Sequence, residues 1–78
     1  MKYTIVEHLA TLAEYHNLKG VKMTKEVNIV SWNGRPAKID IRAWDDRHEL
    51  MTKGITLSIE EAEKLGHVLV EHFGKEIA

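Results

Sequence analysis

Residues 38–44 alternate without a break: Lys38, Asp40, Arg42 and Trp44 fall at one parity, and Ile39, Ile41 and Ala43 at the other. Side chains two apart share a face of a strand, so the pattern predicts a strand from about Lys38 to Trp44 with one apolar face for a core and one face for stacking and charge. Upstream, Val21, Met23, Val27 and Ile29 share one parity, against Lys22, Thr24, Glu26, Asn28 and Trp32 at the other, with Lys25 interrupting the apolar side. This too is a strand pattern. Asn33-Gly34-Arg35-Pro36 supplies the turn between them, because glycine tolerates positive φ and proline cannot donate to a ladder. After a polar loop from Asp45 to Glu49, a third strand is expected over about Leu50 to Leu57.

The period then changes. Ser58 followed by Glu61 forms a capping box, and Ile59, Ala62, Leu65, Val68, Leu69 and Phe73 recur at helical spacing, which predicts a helix from about Ile59 to Phe73. Gly66 lies inside it at a cost of up to ~1 kcal/mol, a feature that often marks close approach by another backbone. The first third fits two patterns. Ile5, Val6, Leu9, Leu12 and Ala13 match a helical face, whereas Tyr3, Ile5 and Leu9 with β-branched Thr4, Val6 and Thr11 suit a long strand. The pattern alone leans to helix, and Asn17-Leu18-Lys19-Gly20 is a turn in either case.

Seventy-eight residues make one small domain, 1–78, and a chain of this size buries only about 60% of the surface its unfolded form exposes. With no cysteine there is neither a disulfide framework nor a thiolate zinc site, so reinforcement is expected from a second copy in a twofold homodimer. Leu65, Gly66, Val68, Leu69 and Phe73 are the expected interface. No apolar run approaches the ~18 residues of a membrane span, and no secretory leader pattern is present, so a cytoplasmic protein with no membrane partner is expected.

The net charge is −1, which by itself argues against a polyanion as partner. Its distribution argues the other way. Residues 19–53 hold eight basic groups against five acidic ones, a balance of +3, and residues 54–78 hold two against five, or −3. A basic segment carrying two tryptophans suits an unpaired nucleic-acid strand, since every base offers a π-face and every nucleotide a phosphate.

The strings Ser31-Trp32-Asn33-Gly34, Lys38-Ile39-Asp40-Ile41-Arg42-Ala43-Trp44 and Lys53-Gly54-Ile55-Thr56-Leu57-Ser58, followed by Glu60 and Glu61, resemble the single-stranded-DNA-binding domain of the transcriptional coactivator "positive cofactor four" and its small bacterial relatives. The resemblance covers about Val30 to Glu61. It implies an α+β fold, a four-stranded curved antiparallel sheet followed by a C-terminal helix (ββββα), dimerised partly through that helix, which makes the first segment a strand. It also implies sequence-tolerant binding of single-stranded DNA in the service of transcription regulation, replication or repair, with the corresponding machinery as further partners. By position, Trp32 takes the place of the family's turn aromatic, Arg35 of a basic residue after the turn glycine, Arg42 of the strand arginine and Lys53 of the lysine before the last strand. This chain carries one more residue between Gly34 and Asp40, and Trp44 stands one place before the family's second stacking aromatic.

The expected nucleic-acid-binding residues are therefore Lys22, Lys25, Trp32, Asn33, Arg35, Lys38, Arg42, Trp44 and Lys53. Arg42 is expected to meet phosphate or base with an acid holding its guanidinium, and Asp40 to be structural. Glu63, His67 and Glu71 fall on one helical stripe, yet no second cluster completes a four-ligand set, so no metal or other cofactor is expected. No nucleophile motif, phosphate-cradling loop or paired-carboxylate site is recognisable, and an enzyme is the least expected class. Two alternatives remain open: single-stranded RNA as ligand, and a protein-interaction dimer whose tryptophans are structural.

Overall fold

The structure, a computed structural model, describes residues 2–77, with side chains through residue 74. Its elements are β1 (Tyr3–His16), β2 (Lys22–Trp32), β3 (Lys38–Trp44), β4 (Ile55–Leu57) and α1 (Ile59–Ile77). The strands form one antiparallel sheet in the order β1-β2-β3-β4. The fold is the expected ββββα arrangement, and α1 runs past Phe73 to Ile77. Among the described residues no helix is long and apolar enough to cross a membrane.

Local chemistry accounts for the connections. Asn33 and Gly34 both have positive φ, 53° and 74°, and the Arg35 amide donates to Trp32 O at 3.0 Å; this is the two-residue turn whose twist matches the flanking strands. Between β1 and β2, Asn17 Oδ1 accepts from the amides of Lys19 and Val21, each at 2.9 Å. At the start of α1 the Ser58 amide donates to Glu61 Oε1 at 2.7 Å and the Glu61 amide to Ser58 Oγ at 3.1 Å, the reciprocal capping box read from the sequence.

Strand β1 is where the two competing patterns are reconciled. Ile5, His8, Thr11 and Glu14 stand opposite Val30, Asn28, Glu26 and Thr24, so β1 advances three residues for every two of β2. The register shifts fall at Val6, Leu9 and Leu12. Each is the extra residue of a bulge, which bends a strand and adds to its twist. Three bulges at three-residue intervals give a strand the apolar spacing of a helix, which is why periodicity pointed the wrong way there.

The third strand is shorter than expected: Leu50 to Gly54 is loop, apart from an isolated bridge between Trp44 and Met51. Asp45 causes this. Its carboxylate accepts from the amides of Glu49 and Leu50 at 2.8 and 3.0 Å, holding the chain in a turn that includes His48 at a φ of 55°. The chain rejoins β3 where the Thr52 amide donates to Ala43 O at 3.0 Å.

Burial within one chain is deepest on the polar face, although Met23 and Ala43 of the apolar face are buried as well. The polar face of the sheet contains Glu26, Asn28, Val30, Asp40 and Trp44, all buried and the last four wholly so. The apolar face is only half covered, because α1 packs at the β3 and β4 side alone. Val27, Ile29, Ile39 and Ile41 are intermediate in exposure, and a cleft of about 350 Å³ separates Leu9, Leu12, Ile39 and Ile41 from Leu65 and Leu69 of the helix. Gly66 borders that cleft and nothing lies within 4 Å of its Cβ position, so the close backbone approach expected there is not made within the chain.

Gly54 does meet one. A Cβ at Gly54 would lie 2.3 Å from Ile41 O and 2.5 Å from Arg42 Cβ, so the loop rests directly on β3. Gly54→Ala is expected to destabilise the protein by about 1–3 kcal/mol through overpacking, measured by urea unfolding.

Candidate nucleic-acid interface

Strand parity puts Trp32, Lys38, Asp40, Arg42 and Trp44 on the polar face together with Tyr3, which pairs with Trp32 across β1 and β2. Asp40 is wholly buried, and an isolated carboxylate cannot be left unpaired there. Arg42, two residues on and on the same face, answers it with a bidentate pair: Nε to Oδ2 at 2.7 Å and Nη2 to Oδ1 at 2.7 Å. Thr56 of β4 donates to Asp40 Oδ1 at 3.1 Å. The Arg42 guanidinium lies 4.6 Å from the centroid of the Trp32 ring, within the range of a cation–π contact.

The remaining donors of Arg42 make only longer contacts. Nη1 faces Met51 Sδ and Thr52 O, each at 3.5 Å, and Nη2 faces Thr56 Oγ1 at 3.5 Å. Its side chain is only 13% exposed. The expectation of an acid holding this guanidinium is met by Asp40, while the surface left for a phosphate is small.

Trp44 differs from the expectation. It is 0% exposed, with Tyr3 at 5.2 Å and His48 at 5.5 Å between ring centroids, so its ring is interior and offers no face to a base. The Tyr3 hydroxyl donates to His48 O and closes the cover over it. Trp32 is half-buried, with Tyr3 at 5.9 Å to one side, and it is the tryptophan that reaches solvent.

The basic residues divide. Arg35, Lys38 and Lys53 are exposed and form no ion pair among the described residues. Arg35 is joined to Trp32 through the turn, and Lys53 precedes the glycine packed on Arg42. Lys22 is at the far end of β2, ten residues or about 33 Å of strand from Trp32, and pairs with Glu14 at 3.3 Å. Lys25 lies on the opposite, apolar face, bordering a pocket with Tyr15, Ile41 and Ile55. Asn33 is turned to structural use, its Oδ1 accepting from the Lys2 amide at 3.0 Å and its own amide donating to Lys2 O at 2.8 Å.

Sequence reasoning passed over a second polar cluster beside this site. Glu26 accepts from His48 Nε2 at 3.0 Å, from Asn28 Nδ2 at 3.1 Å and from the Thr24 hydroxyl. Asn28 Oδ1 in turn accepts from His8 Nδ1 at 2.7 Å. The available signal was a run of poor strand formers, Glu26, Asn28 and Asp40, at mid-strand positions of one face. Burial pushes the Glu26 carboxyl up, but the hydrogen bonds from Thr24, His48 and Asn28, with the charge of His48, outweigh it and hold the group below its ordinary value of 4.5. No set of three ligands placed to hold a metal occurs among the described residues.

The chain is similar to one known family and to one further protein. The family model described as Transcriptional Coactivator p15 (PC4) matches residues 13–68, from the end of β1 into α1. An uncharacterized protein of Treponema pallidum is 37% identical over 67 residues, which cover 86% of this chain and 74% of the relative.

The lowered Glu26 group makes acid stability a test of the polar cluster. A depressed carboxyl stabilises the fold above its unfolded value and loses that contribution as pH falls through the folded value, so stability should decline below pH 4.5. Glu26→Gln should flatten part of that decline in melting temperature against pH. Only part is expected to go, because Asp45 and Glu61 are lowered by backbone hydrogen bonds in the same direction.

Proposed function

The chain belongs to the Transcriptional Coactivator p15 (PC4) family, whose members bind single-stranded DNA, and from that membership we propose that it is a sequence-tolerant single-strand DNA binder acting as a homodimer and not as an enzyme. The observation that carries this reading is the half-buried Trp32 ring, with Arg42 at 4.6 Å and with Arg35, Lys38 and Lys53 exposed and in no ion pair among the described residues. An indole that reaches solvent at the rim of such a face can stack on a base, a sequence-tolerant contact because all bases stack. The three cations supply the matching attraction for phosphates. Transcription regulation, as in the family's coactivators, is the process this activity would serve.

The dimer rests on the half-covered apolar layer. Leu65, Val68, Leu69 and Phe73 are 40%, 56%, 45% and 43% exposed, an apolar surface too large for a lone helix in water. A second copy's helix, entering the cleft beside Leu65, Gly66 and Leu69, is the partner proposed for it, apolar like the residues that line it. The same contact would cover Ile39 and Ile41 and give the small domain its missing core.

Binding of a labelled oligothymidine, followed by anisotropy at several salt concentrations, tests the first part. Three phosphate contacts predict a log–log slope of about −2 per strand, from about −0.7 per phosphate. Trp32→Ala should weaken binding by about 1–3 kcal/mol with little change of slope. A flat salt dependence, or unchanged affinity in a folded Trp32→Ala variant, overturns the single-strand role; equal affinity for the matching RNA favours the RNA alternative. For the dimer, light scattering should give twice the chain mass for the parent, and Leu69→Asp should abolish association because it would bury an unpaired charge. A folded, monomeric parent would refute it.

A further inference from the structure

Arg42 is the residue that family resemblance and charge both assign to the ligand, yet its two short bonds go to Asp40 and its other donors already face protein acceptors at 3.5 Å. The guanidinium has five N–H donors, and these face five acceptors: both Asp40 oxygens, Thr56 Oγ1, Met51 Sδ and Thr52 O. Its charge is matched by a carboxylate with no exposure to water. One side is against the Trp32 ring, and Gly54 approaches so closely that a Cβ there would lie 3.1 Å from Nε. A phosphate would have to displace one of these partners and add its charge beside the buried Asp40.

We infer that Arg42 is a positioning residue, not a phosphate contact: locked by Asp40, it holds the Trp32 ring in a fixed plane for an unstacked nucleobase, and so sets a preference for bases over bare sugar-phosphate backbone. This rests on the single-strand reading above. The physical gain is pre-ordering. A tryptophan fixed by the ring-to-guanidinium contact has less freedom to lose when a base arrives, and ordering a free side chain is among the costs of association. The bidentate pair also explains why lysine would not serve, since an ammonium cannot meet both carboxylate oxygens in one plane and lie flat on an indole. Met51, Thr52 and Thr56 hang from the same guanidinium, so the pair also fixes the loop that carries Lys53.

Two probes of equal length separate the possibilities: oligothymidine and an abasic deoxyribose-phosphate strand, each titrated over a range of salt with parent, Arg42→Lys, Arg42→Gln and Thr56→Val. Arg42→Lys is expected to lose about fivefold or more in affinity for oligothymidine, the lower end of one base stack. Affinity for the abasic strand and the salt slope should stay as in the parent, and Arg42→Gln should also leave the slope unchanged. Thr56→Val removes the Asp40 hydrogen bond at 3.1 Å but leaves the charges in place. It should reduce the preference for bases in the same sense and serves if either arginine variant does not fold. The inference is overturned if Arg42→Lys binds both strands like the parent, if Arg42→Gln lowers the slope by about 0.7 while the base preference persists, or if Thr56→Val, standing in for an unfolded variant, keeps the full preference. A parent that binds both strands equally refutes Trp32 stacking along with it, whereas a parent that binds neither strand refutes the single-strand function itself.

Discussion

A carboxylate buried in the middle of a strand sets the terms for the polar half of this protein. Asp40 has no exposure to water, and desolvating an unpaired charge costs several kcal/mol even after relaxation. The compensation is local, since Arg42 follows on the same face and forms a forked pair with it at 2.7 Å on both arms. Once the guanidinium is committed there, Trp32 settles against it, Met51 and Thr52 close over it, and β4 attaches through Thr56. The three-residue strand β4 has few ladder bonds of its own, so this side-chain network has a large share in holding it to β3.

Two faces of one sheet are thereby finished by different means. The polar face is completed within the chain by hydrogen bonds, with Glu26 and Asn28 joined to His8 of β1 and His48 of the loop. The apolar face is left half open, with Val27, Ile29, Ile39 and Ile41 meeting a helix that stands away from them. Hydrogen bonds are directional and can be satisfied by one chain with the right side chains in register, whereas covering a broad apolar surface takes area. A helix attached at the sheet's edge does not supply enough. That division lets the polar side keep its geometry within one chain while the apolar side stays partly uncovered.

Legibility of the candidate site was uneven for physical reasons. Trp32, Arg35, Lys38 and Lys53 could be named because a strand parity, a turn and a charge count are local properties. Trp44 shares a strand face with Lys38 and Arg42, yet Tyr3, far off in sequence, and His48, in the loop that follows, fold over it and make it interior. Lys25 interrupts the apolar side by its parity, and charge alone groups it with the other lysines. His8, Glu26 and His48 went unnoticed because a polar core has no periodic signal of its own.

What the sequence determined by itself is whatever short-range stereochemistry decides: the parity of β2 and β3, the Asn33-Gly34 turn with both residues at positive φ, the Ser58–Glu61 capping box, and the Asp40–Arg42 pair that a two-residue strand spacing makes possible. Tertiary structure decided the rest. The first segment has a three-residue apolar spacing that fits a helix as well as a strand, and only pairing with β2 resolves it, because each bulge at Val6, Leu9 and Leu12 exists relative to a partner strand. Likewise, no local pattern distinguishes a tryptophan that ends up at the rim from one sealed beneath a tyrosine 41 positions away in the chain, since burial depends on which distant segments the sheet brings together.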